Sequence, residues 1–155
     1  MKWADVQGSP MPRLLARVVV PALKESEARL QSGYRGTDPG AAPILRRHGK
    51  HTQTQLWLGW VHRLPGYNPA NPPGRSTHEL RSDGVAYPYV PAGHRLEWWQ
   101  MGMDVDDAHV DRFLKALRRR GVQAWRPYPG GREYHHVNIR ARPPRRLWLL
   151  PRRKA

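Results

Sequence analysis

The chain has no cysteine, so disulfides, thiolate metal sites and cysteine nucleophiles are excluded. No apolar run approaches the roughly 18 residues of a membrane-spanning helix, which excludes a span of that kind. Acidic residues are scarce. Twelve Asp and Glu face 27 Lys and Arg, 22 of them Arg, leaving a formal charge of +15. Such a field draws polyanions, whether nucleic acid, an anionic membrane or an acidic cell wall, and a GC-rich genome would also favour Arg over Lys. Phenylalanine occurs once, but seven Trp and six Tyr argue against a disordered chain. The length of 155 residues fits one domain on the usual prior of about 100–200, and 14 Gly with 16 Pro predict a loop-rich one. The apolar patch near the start is interrupted by Arg13 and Arg17 and lacks a small-residue cleavage site, so no signal peptide is expected.

Leu14, Leu15, Val18, Val19 and Ala22 recur at helical spacing, with Leu30 extending the face, Pro21 set to kink or split it and Gly33 to end it. A second helix is predicted from Thr52, where Thr52 and Gln55 fit a capping box, with Leu56, Trp60 and Leu64 along one face. The segment PGYNPANPPGRST is too rich in proline and glycine for regular structure, and so long a rigid loop is more often functional than idle. LEWWQMGMDV (96–105) reads as a strand with Leu96, Trp98, Gln100, Gly102 and Asp104 on one face. The clearest helix follows, capped by Asp106 or Asp107, with Val110, Phe113, Leu114 and Leu117 buried, Arg118–Arg120 at its C-terminal dipole and Gly121 as the stop. VQAWRPY and EYHHVNIR flank a Pro-Gly-Gly turn and predict a hairpin. The order of elements indicates an α+β fold. Residues 1–142 are expected to form one domain and 143–155 a basic tail, and the chain is expected to be a monomer.

Four places could carry chemistry: SGYR (32–35), STH (76–78), GMDV (102–105) and EYHHV (133–137). Catalytic zinc sites use three N/O ligands and leave a fourth position open, and a nearby Glu can shuttle the water's proton. A His after a loop, an Asp late in a strand and a His on a neighbouring strand can meet at one end of a sheet. A lone strand His is, on the other hand, more often a packed or hydrogen-bonded residue.

The order SGYR, a helix containing Gln, NPANPPGRSTH, Gly-x-Asp-Val and Glu-x-x-His resembles the D-alanyl-D-alanine carboxypeptidase/L-alanyl-D-glutamate endopeptidase family of zinc peptidases, over roughly residues 21–142. That family includes vancomycin-resistance carboxypeptidases and many phage endolysins. Its signature is Ser-x-His-x-x-Gly-x-Ala-x-Asp followed by Glu-x-x-His. Ser76-Thr77-His78 matches the start, and Glu133-Tyr134-His135-His136 matches the end. The middle departs: Val85 stands where the family has its metal-binding Asp. Asp83 is near in sequence at the wrong spacing. Asp104, in Gly102-Met103-Asp104-Val105, resembles the family's ending displaced by an inserted excursion at roughly 80–97, and is preferred. The resemblance implies a hedgehog-like fold, a small antiparallel sheet flanked by helices. It further implies zinc (Zn2+) held by His78, Asp104 and His136, Glu133 as proton shuttle, and Arg35 and Ser76 holding substrate. The Glu-x-x-His spacing selects His136 over His135, leaving His135 a packing or substrate-contact role. Strict alternation would put Glu133 and His136 on opposite faces, so a bend at the strand start is required, for which Gly130 and Gly131 are at hand.

The function this implies is a zinc metallopeptidase hydrolysing peptidoglycan stem peptides, of bacterial or bacteriophage endolysin type, in cell-wall degradation. The basic charge suits an anionic cell wall. The expected location is the host cytoplasm before lysis, or the virion. The same residues are compatible with cleavage at L-Ala–D-Glu, at D-Ala–D-Ala or in a cross-bridge. Two other readings stand beside it. One is a non-enzymatic virion structural or cell-wall-binding protein that keeps the fold. The other is a basic nucleic-acid-binding protein, which ranks last because no helix-turn-helix, finger or aromatic ribonucleoprotein signature is present.

Overall fold

In the computed structural model the described residues are 3–36, 52–80, 99–128 and 133–141. Two short strands open the chain, β1 (Trp3–Val6) and β2 (Ser9–Pro12), paired antiparallel. Gln7 and Gly8 make the turn, both with positive φ. No period-two alternation in residues 3–12 signals this hairpin.

Helix α1 (Arg13–Ser26) buries Leu15, Val19 and Leu23 on one stripe. Pro21 does not split it. Its end differs from expectation: the helix stops at Glu27, in the left-handed region at φ 60°, and not at Gly33. Leu30 belongs to strand β3 (Leu30–Ser32) and pairs with Val105. Ser26 contributes to the stop, because its hydroxyl donates back to the Ala22 carbonyl and accepts the Ala28 N–H.

β4 (Arg35–Gly36) pairs in parallel with β5 (Glu79–Leu80). Between them lies α2 (Gln53–Val61), with the expected capping box: the Thr52 hydroxyl accepts the Gln55 N–H, and the Gln55 side chain accepts the Thr52 N–H. The expected buried face of α2 does not hold. Trp60 and Leu64 are exposed, and Leu64 lies beyond the helix, because Gly59 is the side that packs inward, against the Tyr67 ring.

β6 (Trp99–Val105) leads through a 3-10 turn (Asp107–His109) to α3 (Val110–Arg119), which buries Val110, Phe113, Leu114 and Leu117 as expected. Asp106 makes no side-chain cap; it accepts the Arg29 N–H instead. Arg119 and Arg120 pair with Glu25 of α1, tying the two helices together. Gly121, at φ 76°, ends the element. β7 (Gln123–Trp125) and β8 (His136–Ala141) form the expected antiparallel pair.

The main sheet has the order β3-β6-β8-β7, with every adjacent pair antiparallel. Alternation divides it into two faces. Met101, Met103 and Val105 of β6 and Val137 and Ile139 of β8 are fully buried among the α1 and α3 side chains. Each large apolar side chain so buried contributes roughly 1.5–3 kcal/mol. The opposite face carries Gly102 and Asp104 against Asn138 and His136. The architecture is α+β with small antiparallel sheets, and among the described residues no helix is long and apolar enough to cross a membrane. Asp83 and nearly all of the expected 80–97 excursion, Leu96 and Trp98 of the expected strand, Gly130, Gly131 and the 143–155 tail lie outside the described residues.

Candidate metal centre

Asp104 and His136 are register partners on β6 and β8, with Asp104 Oδ1 2.9 Å from His136 Nδ1. His78 arrives from a loop. Strand β3 is short, and past its end the Thr77 carbonyl takes the Gly102 N–H at 2.9 Å, so residues 76–78 dock where a longer β3 would lie. His78 Nε2 then stands 3.1 Å from His136 Nδ1 and 3.5 Å from Asp104 Oδ1. Both imidazoles are buried and Asp104 is half-buried.

The loop is held by a pattern the sequence reading overlooked. Ser76-x-x-Glu79 resembles the Thr52-x-x-Gln55 cap: Glu79, fully buried, accepts the N–H groups of Ser76 and Gly74, and the Ser76 hydroxyl accepts the His78 N–H. The Arg35 N–H donates to the His78 carbonyl at 2.7 Å. Gly102 is required by sterics, since a Cβ there would lie 2.1 Å from Thr77 Oγ1 and 3.0 Å from His136 Cε1.

Outer contacts fix both rings. His78 Nδ1 faces the Gly33 carbonyl at 2.9 Å, and a carbonyl only accepts, so Nδ1 carries the proton and Nε2 offers its lone pair inward. His136 Nε2 faces Asn138 Oδ1 at 3.0 Å, which leaves Nδ1 facing inward. Two inward nitrogens and a carboxylate oxygen thus stand 2.9–3.5 Å apart, with lone pairs that a cation can share. Ligand bonds of roughly 2.0–2.1 Å in a tetrahedron imply donor separations of roughly 3.3–3.4 Å. The described group His78–Asp104–His136 fits that and could hold a metal ion. Burial holds the His78 imidazole below its ordinary pKa against the raising effect of Asp104. Burial pushes Asp104 upward, but hydrogen bonding with His136 and His78 outweighs it and keeps the carboxylate well below its usual range.

His135 is outside this group. It is half-exposed, with Nε2 3.9 Å from Asp104 Oδ1 and Nδ1 3.8 Å from Asp107. The bend before β8 is made by Glu133 itself, at φ 53°, whose carbonyl accepts the His136 N–H at 3.0 Å. An exposed Glu133 is thereby brought into the same cleft as His136.

The cleft has a volume of about 710 Å3, within the range of small-ligand pockets. Its walls include Arg35, Ser76, Tyr128 and the loop from Pro65 to Asn71. Gln53 ties that loop to α2 by donating to the Asn71 carbonyl. Arg35 Nη2 donates to Ser32 Oγ; burial lowers its pKa, while Asp104, Glu79 and Glu133 favour its charge. Ser76 is buried and its hydroxyl serves the loop. Tyr134 packs against the core with its hydroxyl on Asp111.

Comparison with family models, with curated proteins and with solved structures finds no match.

Proposed function

We propose that the protein is a zinc-dependent peptidase acting on peptidoglycan stem peptides, with a hedgehog-like metallopeptidase fold of the kind the sequence motifs resemble. The observation that carries this reading is the convergence of His78, Asp104 and His136, from three separate stretches of chain, at the wall of an open cleft. Two imidazoles and one carboxylate suit zinc, and the cleft leaves room for a further ligand. The chemistry zinc supplies at such a site is polarisation of a scissile carbonyl and acidification of water.

The chain's own residues account for the rest. Glu133 takes the water's proton as general base and returns it to the leaving amine as general acid. Its placement on the cleft, three residues before the inward-facing His136 ring, supports that role. The Arg35 guanidinium offers a fork for a peptide carboxylate, and charge from three carboxylates keeps it ionised in a partly buried position. Ser76 shapes the substrate side through its loop. The +15 charge favours an anionic cell wall as partner.

The test is release of free amino groups from purified Gram-positive peptidoglycan by wild type and by Glu133→Gln. The variant keeps fold and zinc and loses about 10²–10⁴-fold in rate, the usual worth of general acid–base catalysis. Equal rates in the two remove Glu133 from the mechanism. No hydrolysis by either, with zinc bound, favours the wall-binding or virion structural reading.

A further inference from the structure

We infer that Asn138 is a positioning residue that holds His136 in the tautomer able to bind the cation through Nδ1; this rests on the metal-site reading above. His136 and Asn138 are two apart on β8, on the same face, opposite Asp104 and Gly102 of β6. One nitrogen of the His136 ring meets Asp104 Oδ1 and His78 Nε2, and the other meets Asn138 Oδ1 at 3.0 Å and Thr77 Oγ1 at 3.2 Å. The two outer contacts are unequal in what they dictate. A hydroxyl rotates and can face either a lone pair or an N–H, so Thr77 tolerates both tautomers. Asn138 turns its amide oxygen to Nε2 at 3.0 Å, and an oxygen only accepts, so in this orientation the proton sits on Nε2 and the Nδ1 lone pair is left for the cation.

Burial gives the contact its weight. Asn138 and His136 are both buried, so water does not replace a lost acceptor freely, and an unpaired buried N–H carries a full desolvation penalty. The Gly33 carbonyl does the same for His78 through Nδ1, so the two rings are held in opposite senses, one presenting Nε2 and the other Nδ1. Outer partners of this kind raise ligand basicity, and their removal typically weakens metal binding about 10–100-fold. Asn138 lies beside the ligands with its oxygen turned to the far nitrogen of the ring.

The test is zinc affinity by competition with a chromophoric chelator, for wild type, Asn138→Leu and Asn138→Asp. The leucine side chain is close in size and has no acceptor, and its affinity falls about 10–100-fold. The aspartate keeps an acceptor at the same place, and it binds zinc as tightly as wild type or more so. A separate readout needs no substitution: nitrogen NMR of zinc-loaded wild type shows His136 with a protonated Nε2 and a metal-bound Nδ1. The inference is overturned if Asn138→Leu matches wild type, if Asn138→Asp is as weak as Asn138→Leu, or if the NMR shows Nε2 unprotonated. Wild type that takes up no zinc overturns the metal-site reading itself, a result distinct from all three.

Discussion

Asp104 Oδ1 and His136 Nδ1 face each other at 2.9 Å across two neighbouring antiparallel strands, and this pair is the fixed half of the centre. It stands on a sheet whose other face is fully buried, so the backbone that carries the two side chains is anchored by Met103 and Val137 in the core. His78 is the half brought in by a loop. The distinction gives the variants different expected behaviour.

His136→Ala and Asp104→Ala remove donors from the rigid half and should empty the centre of zinc, whereas His135→Ala should retain most of it. Elemental analysis of each purified variant checks this. A His135→Ala protein that alone loses its metal would show that the ring chosen at the start of β8 is the wrong one.

Gly102→Ala should damage the centre without touching a ligand. The added Cβ would sit 2.1 Å from Thr77 Oγ1 and 2.9 Å from Thr77 Cβ, so the docking loop must move outward. Overpacking of this kind costs typically 1–3 kcal/mol. Urea unfolding should register that loss, and zinc affinity should fall with it because Thr77 precedes His78. Unchanged affinity in Gly102→Ala would mean that the loop seats His78 by other contacts.

Stability of the zinc-free protein should fall on acidification. The His78 imidazole is held below its ordinary value, so the unfolded chain takes up that proton first as pH drops through about 6.5. Asp104 has the same sign, but its folded pKa is depressed, so its contribution is present above about 3.9 and fades only as pH falls further toward the folded value. Between pH 8 and pH 5 the His78 effect therefore dominates this pair. Thermal unfolding of chelator-treated protein, compared with His78→Gln, should show a decline that the variant lacks.

The capping box at the start of α2 supports the cleft wall through Gln53 and Asn71. Thr52→Ala should cost about 1 kcal/mol of stability. Urea unfolding reads the cost directly; a loss below a few tenths of a kcal/mol would show that the amide half of the box suffices.

Local chemistry made parts of this fold legible in the sequence. Thr52 and Gln55 announced a helix start, the Val110–Leu117 stripe announced α3, and alternation in QMGMDV put Gly102 and Asp104 on the face opposite the methionines. Periodicity failed where long-range pairing competed with it. Leu30 fits the α1 stripe, yet pairing with Val105 draws it into β3 after a left-handed Glu27 that no glycine or proline signals. Trp60 and Leu64 have the spacing of a buried face, but Gly59 lets Tyr67 pack on the other side. At the site, the residue types and their order were readable. The docking of Thr77 on Gly102 was not, because it is a backbone bond between segments far apart in the chain. Ser76-x-x-Glu79 was readable and overlooked, and Asn138 gains its meaning only from the ring it faces.

The central claim is that His78, Asp104 and His136 hold one zinc ion. Elemental analysis of protein purified without chelator tests it most directly. The expected result is close to one zinc per chain in wild type and almost none in Asp104→Ala. A folded wild type with no zinc, or an Asp104→Ala protein that retains it in full, would contradict the claim.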